Sequence, residues 1–288
     1  MIKLINLCCG QRYHQNWVNV DFVSTTEFVQ AHDLTKGIPF PDQEFDVAYH
    51  SHVLEHFEKS AGLVFMQECF RVLKKGGILR VAIPDLEGIV RCYIEQLNKS
   101  LEGDEQAQLN YEWIMLELYD QTVRNYSGGT MAEYLRKDEL HNENFIYTRI
   151  GQEGKQLRNI LLRERKQPIK EIVSTNKHSK QTLFSKFLSG TAYRNKLKQI
   201  LFFKELQHFK DQQEKLDIGT FRKGGEIHLW MYDRYSLAKV FRECGFVNIQ
   251  VTSAFESRIP HWNSYGLESK DGEVFKPDSL FMEANKPV

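Results

Sequence analysis

The stretch Ile38-Pro39-Phe40-Pro41-Asp42-Gln43-Glu44-Phe45-Asp46-Val47-Ala48-Tyr49-His50-Ser51-His52-Val53-Leu54-Glu55-His56 decides how the chain reads. A connection rich in Pro and Asp leads into Phe45 to Ser51, which shows almost no polar alternation, as expected of a central strand buried on both faces. From His52 to Leu73 the spacing turns helical, with Val53, Leu54, Phe57, Leu63, Val64, Phe65, Phe70, Val72 and Leu73 as its apolar set. Lys74-Lys75-Gly76-Gly77 predicts the end of that helix, with cations in its last turn and glycine beyond. Ile78 to Pro84 reads as the next strand, and strand–helix–strand is the unit of a parallel sheet.

The same alternation extends outward. Upstream, Lys3 to Cys9, Trp17 to Phe22 and Phe28 to Asp33 read as short strands. Downstream, residues 86–226 are helical in spacing and rich in Gln, Lys, Glu and Tyr. Tyr232 to Cys244 then predicts an amphipathic helix with Leu237, Val240 and Phe241 on one face and Gly245 as its cap. Val247 to Phe255 and Leu280 to Asn285 supply two further strands. The expectation is one α/β domain made of residues 1–85 and 227–288, interrupted at 86–226 by a large helical insertion.

Composition narrows the function classes. The 288 residues are 41% hydrophobic and 26% charged, the mixture of a globular protein that can bury a core. Lys+Arg and Asp+Glu both number 38, so the whole chain carries no basic footprint and no nucleic-acid partner is expected. No apolar run approaches the roughly 20 residues that cross a bilayer, and Met1 to Leu7 lacks the apolar core of a signal peptide. The cysteines, Cys8, Cys9, Cys69, Cys92 and Cys244, are odd in number and show no CxxC, which suggests a reducing cytoplasm rather than a disulfide framework.

Open parallel sheets bind ligands at the carboxyl ends of their strands. Those ends carry Cys8-Cys9-Gly10, Asp21, Asp33, His50-Ser51-His52 and Pro84-Asp85. A small-residue turn lets a ligand lie against backbone, and a carboxylate can accept two hydroxyl hydrogen bonds from a ribose. Each feature alone occurs in many α/β proteins.

In order, however, these features resemble class I S-adenosylmethionine-dependent methyltransferases. The resemblance rests on Leu4 to Gly10, Val20-Asp21, His32-Asp33-Leu34, Ile38 to Val47, His52 to His56, Arg71 to Gly77, Ile83-Pro84-Asp85 and Cys244-Gly245-Phe246. It looks most like predicted methyltransferases found among surface-polysaccharide genes, which also carry a helical insert and a segment like Gly224 to Tyr232. The resemblance implies a seven-stranded Rossmann-like sheet with its last strand antiparallel, an insert acting as a lid, and S-adenosyl-L-methionine as cofactor. It implies that Asn6, Leu7, Cys8, Cys9 and Gly10 hold the aminoacyl part of that cofactor, and Asp21 with Phe22 the ribose. Asp33 and Leu34 would hold the adenine, with His50 and Ser51 under the transferable methyl. Two departures stand out. Cys8 occupies a position where the family usually has glycine, and only ten residues separate Gly10 from Asp21, so the first helix must be abbreviated.

The implied activity is methyl transfer to an oxygen, less readily a nitrogen, of a small-molecule or glycan acceptor. A hydroxyl acceptor must lose its proton, and His52, His56 and His228 are the candidate bases. Tyr126, Trp230 and Tyr232 are candidate acceptor contacts, although core packing explains Trp230 equally well. Two alternatives stay open. One is a cofactor-binding module without turnover, suggested by Cys8; the other is a zinc hydrolase, because His52-Val53-Leu54-Glu55-His56 spells HxxEH. The methyltransferase signature on both sides accounts for that string without metal, so no metal is expected. Residues 151–215 carry 15 Lys+Arg against 6 Asp+Glu, with Phe184, Phe187, Leu188, Leu197, Ile200, Leu201, Phe202, Phe203, Leu206 and Phe209 interspersed. That block reads as the two faces of a lid or as a peripheral membrane contact.

Overall fold

The structure, a computed structural model, describes residues 2–24, 26–166 and 191–288, with the backbone alone at Lys166 and at 191–206. Its strands are β1 (Leu4–Leu7), β2 (Val18–Asp21), β3 (Val29–Ala31), β4 (Phe45–Ser51), β5 (Leu73–Pro84), β6 (Val247–Thr252), a short hairpin of β7 (Ser269–Lys270) and β8 (Glu273–Val274), and β9 (Ser279–Asn285). Its helices are α1 (Lys59–Val72), α2 (Leu86–Leu101), α3 (Glu105–Val123), α4 (Gly129–Leu135), α5 (Glu143–Lys166), α6 (Thr191–Arg222) and α7 (Arg234–Glu243). Seven strands form one sheet in the order β3-β2-β1-β4-β5-β9-β6. The pairs among β1 to β5 are parallel, and β9 runs antiparallel to both β5 and β6. This is the Rossmann-like methyltransferase sheet expected from the sequence, with the last strand reversed.

Period-two alternation divides the side chains between two cores. Ile5, Leu7 and Ala48 pack with Phe65, Met66 and Cys69 of α1 and with Leu237 and Phe241 of α7. On the opposite face Leu4, Val47 and Tyr49 pack with Trp17, Ile259 and Trp262. The inserted helices bury their own cluster of Trp113, Ala132, Tyr134, Leu135, Ile146 and Leu161. α7 starts on a capping box, in which Asp233 accepts from the Ser236 amide at 2.7 Å and the Ser236 hydroxyl returns to the Asp233 amide at 2.9 Å.

The structure departs from the sequence reading in three places. First, β1 and β2 are joined by turns alone, not by a shortened helix. Ten residues cannot form both a helix and its two connections. An aromatic cluster stands there instead: Trp17 meets Tyr265 at 5.2 Å, and Trp262 meets Tyr49 at 5.2 Å, edge to face. Second, the chain from His52 makes only a 3-10 turn at Leu54–His56 before α1 begins at Lys59. Third, α1 ends at Val72, and Lys74 to Gly77 belong to β5, whose Leu73 already pairs with Phe45.

Buried charge locks the segment after β6 onto the sheet. Arg80 of β5 is fully buried, bonding Glu283 of β9 at 2.7 Å, Glu268, and the carbonyls of Ser253 and Glu256 at 2.8 and 2.9 Å. Its guanidinium also lies 4.4 Å above the Trp262 ring. Removing Arg80 would leave Glu268 and Glu283 buried without their cation, and breaking a buried pair in that way costs about 3–5 kcal/mol.

His50 of β4 lies on the α1 face, edge-on to Phe65 at 5.1 Å, and neither ring nitrogen has a hydrogen-bond partner. Burial lowers its pKa to about 4, although the Glu55 charge works the other way. A base with a depressed folded pKa contributes stability above its unfolded value of about 6.5 and loses it as pH falls towards the folded value. Urea unfolding of wild type and His50→Leu at pH 7 and pH 5 checks this. The variant is expected to lose about 2 kcal/mol less than wild type between those two pH values.

Candidate active site

β1 and β4 are adjacent parallel strands in register, Leu7 opposite His50, yet their outgoing connections diverge, one towards β2 and the other towards α1 and β5. A crevice opens where such connections part. A cavity of about 780 Å³ lies there, lined by Asn6, Cys8, Cys9 and Gly10 after β1 and by Tyr49, Ser51 and His52 of the β4 exit.

The turn after β1 is tight and fastened to β2. Cys8 takes φ +51° and Gly10 φ +56°. The Cys9 amide donates to Val20 O at 3.2 Å, and Asn6 Nδ2 donates to Arg12 O at 2.9 Å. Cys8, where the family that the sequence resembles usually has glycine, adopts the left-handed backbone that glycine favours. A Cβ added to Gly10 would meet nothing within 4 Å, so the backbone there faces open space. Asp21 accepts the Gly10 amide on Oδ2 and the Phe22 amide on Oδ1, both at 2.6 Å. Each oxygen keeps a second lone pair for a hydroxyl of a ligand. Asp21 itself is not among the residues lining the cavity and adjoins it through Gly10; small residues, exposed backbone and that adjoining carboxylate fit a nucleoside sulfonium. The thiols of Cys8 and Cys9 are each pushed up to about 12, chiefly by burial and then by the Asp21 charge, so they stay neutral.

Other expected contacts fall elsewhere. Leu7 and Leu34 are core residues, leaving only their backbones for a ligand. Phe22 is 70% exposed. Asp33 caps the 3-10 turn Leu34–Lys36, accepting the Thr35 amide at 3.1 Å and hydroxyl at 2.6 Å. His50 does not line the cavity, because strand alternation turns Tyr49 and Ser51 towards it and His50 towards α1.

Of the three candidate histidines only His52 lines the cavity. It takes φ +55°; its Nε2 pairs with Ser279 Oγ at 2.8 Å and its Nδ1 lies 3.2 Å from Glu55 Oε1. Burial, reinforced by Lys276, lowers its pKa to about 4, leaving a neutral imidazole. The HxxEH string does not form the zincin arrangement: His52 is left-handed and His56 ends a 3-10 turn, so they share no helix face. His56 meets His228 instead, with ring centroids 4.9 Å apart. The 227–230 segment is pinned to this turn by Leu229 and Trp230 amides donating to Glu55 O at 2.7 and 3.2 Å.

The proposed acceptor aromatics are not brought together at the cavity. Tyr126 lies in a separate surface groove beside α6 and donates to Glu133 at 2.8 Å. Trp230 is at the surface under Lys59, and Tyr232 is in the core, where its carbonyl accepts the Leu86 amide at 3.1 Å. The apolar residues 184, 187 and 188 lie outside the described residues, as do the side chains of 197–206.

Sequence reading missed the walls of the cavity. α5 contributes Gln152, Glu153, Gln156, Leu157 and Ile160, and the 267–276 segment contributes Phe275 and Lys276. Arg12 joins these walls, ion-paired to Glu153 and 4.3 Å above the Phe275 ring. Gly151 in the middle of a helical pattern was the available signal. Its φ of +59° kinks α5, and a Cβ there would lie 2.4 Å from Pro277 Cδ and 2.6 Å from Phe275 O.

Residues 8–81 match the family model described as a methyltransferase domain. No curated protein matches the chain. Among solved structures, an S-adenosylmethionine-dependent methyltransferase from Mesorhizobium loti is 19% identical, with 31% of this chain and 48% of that one covered and a TM-score of 0.24. A Burkholderia thailandensis 1,6-didemethyltoxoflavin-N1-methyltransferase with bound S-adenosylhomocysteine is 13% identical, covering 29% and 46%, with a TM-score of 0.26. A SAM-dependent methyltransferase from Archaeoglobus fulgidus is 9% identical over 99% of this chain and 86% of that one, with a TM-score of 0.36. The first solved structures matched are spanned over about half of their length or less, 38% to 48%. The match at residues 8–81 and the strand order agree on a methyltransferase-type Rossmann-like sheet in this part of the chain.

Two substitutions check the geometry. Cys8→Val forces a β-branched residue to positive φ and is expected to cost about 1–3 kcal/mol in urea unfolding, whereas Cys8→Gly stays within about 1 kcal/mol of wild type. Gly151→Ala should weaken S-adenosylhomocysteine binding in calorimetry several-fold, because α5 can no longer seat against Phe275 and Pro277. Unchanged affinity would remove α5 from the cavity wall.

Proposed function

We propose that this protein transfers a methyl group from S-adenosylmethionine to an oxygen, less readily a nitrogen, of a small-molecule or glycan acceptor. The observation that carries this reading is the convergence, at one crevice, of the stapled Cys8–Gly10 turn and the neutral imidazole of His52. When bound, the cofactor supplies an electrophilic methyl on a sulfonium.

The chain's own residues do the rest. The backbone of Asn6 to Gly10 carries the aminoacyl part, and the Asp21 carboxylate takes the ribose hydroxyls. His52 receives the acceptor proton on a ring nitrogen, and the contact of its Nε2 with Ser279 Oγ at 2.8 Å orients the ring. α5 and the Phe275–Lys276 segment exclude water and hold the acceptor, and alignment of two reactants is worth roughly 7–11 kcal/mol in favourable cases. The polar lining, with Gln11, Gln152 and Gln156 beside Arg12 and Lys276 that both pair with Glu153, favours a hydroxyl-rich acceptor over an apolar one. A role in surface-polysaccharide synthesis in the cytoplasm accords with that choice and with the sequence resemblance. Among the described residues no helix is long and apolar enough to cross a membrane.

The competing reading is a module that binds the cofactor without turnover, and the strained Cys8 favours it. Calorimetry with S-adenosylhomocysteine, followed by turnover on a panel of glycans and hydroxylated metabolites, separates the two. One binding site is expected, weakened roughly tenfold or more by Asp21→Ala, since a lost hydrogen bond to a charged group costs about 1.5–3 kcal/mol. His52→Ala should leave that affinity within a few-fold while lowering kcat by about 10²–10⁴. Absence of binding heat would contradict the assignment, and binding with no turnover on any acceptor would favour the silent module.

A further inference from the structure

The carboxylate of Glu55 is fully buried, and neither oxygen has a hydrogen-bond partner. His52 Nδ1 approaches Oε1 to 3.2 Å but without the alignment of a hydrogen bond. His228 is 5% exposed, and its Nδ1 is also buried without a partner. Unpaired polar atoms this deep are rare, because each forfeits its hydration without replacement. Two orphaned oxygens on Glu55 and an orphaned nitrogen on the neighbouring His228 call for a ligand.

The third donor is already prepared. His56 Nδ1 lies 3.1 Å from Ile227 O, a carbonyl that can only accept, so Nδ1 carries the proton and Nε2 presents a free lone pair. A backbone carbonyl orienting the far nitrogen is the usual support of a metal-ligating imidazole. One ligand atom from each of Glu55, His56 and His228 lies within 4.8 Å of the others. Around an ion at 2.0–2.2 Å from each, donors stand about 3.4 Å apart, so binding draws them in by on the order of an ångström.

We propose that Glu55, His56 and His228 bind one divalent transition-metal ion of the zinc class. Two imidazoles and one carboxylate suit zinc and its neighbours, whereas calcium and magnesium prefer all-oxygen shells. The ion neutralises a carboxylate that the fold otherwise leaves unpaired, and it ties the β4 exit turn to the 227–230 segment. Three protein donors leave a coordination position free for water or an acceptor oxygen. The site differs from the zincin arrangement of His52 and His56, and it stands independently of the methyl-transfer reading.

The full chain, stripped with chelator and dialysed, would be titrated with zinc chloride by calorimetry, with metal content measured by mass spectrometry and melting followed in parallel. The expected result is one zinc per chain, with a raised Tm, because binding to the folded state alone stabilises it. Glu55→Gln and His228→Ala should each weaken zinc roughly tenfold or more, His56→Gln likewise, and the exposed His208→Ala not at all. Circular dichroism and S-adenosylhomocysteine binding, measured without metal, report whether each variant is folded. Failure to take up zinc, or uptake undiminished in the folded variants among these three, overturns the site. Loss of cofactor binding with zinc uptake intact would instead count against the methyltransferase reading alone.

Discussion

The pairing of β1 with β4, Leu7 opposite His50, is the constraint on which the rest depends. It sets two chain exits side by side, and the connections must then part because β2 lies on one side and β5 on the other. The gap between them is a consequence of strand order rather than of any single side chain. Cys8, Gly10 and His52 all take positive φ at these exits. Backbone strain at Cys8 and His52 persists only when its surroundings hold it.

Those surroundings are identifiable. The buried Arg80 network secures the segment after β6, which brings Trp262 beneath Trp17 and Tyr49 and extends to Phe275 and Lys276 at the cavity. The same segment receives Gly151 of α5 at backbone distance. A missing helix between β1 and β2 is thus replaced by chain from more than 240 residues later, and α5 lines the other side of the crevice. Charge, aromatic packing and one glycine together convert an open strand edge into a walled cavity.

Much of the fold was legible because it obeys local rules. The unalternating run Phe45 to Ser51, the apolar spacing of Phe65 and Val72, and the Leu237, Val240 and Phe241 stripe each specify an element without reference to distant residues. Acids after strands placed Asp21 correctly at a strand end. What the sequence could not display was tertiary pairing. His50 and His52, two positions apart, would share one strand face, and the left-handed backbone at His52 is what turns it to the cavity instead. The meeting of His56 with His228, 172 positions away, follows only from the path of the insert. The HxxEH spacing suggested a helix face that the backbone does not make. Short elements such as the β7–β8 hairpin carry no periodicity to read.

The central claim is that a nucleoside sulfonium lies across the ends of β1 and β2 with its sugar held by Asp21. A crystal structure of the full chain grown with S-adenosylhomocysteine tests it most directly. The account predicts density against the Cys8–Gly10 backbone, with both ribose hydroxyls within hydrogen-bond distance of the Asp21 carboxylate. The same compound seated elsewhere, or a crevice filled by a different nucleotide, would contradict it.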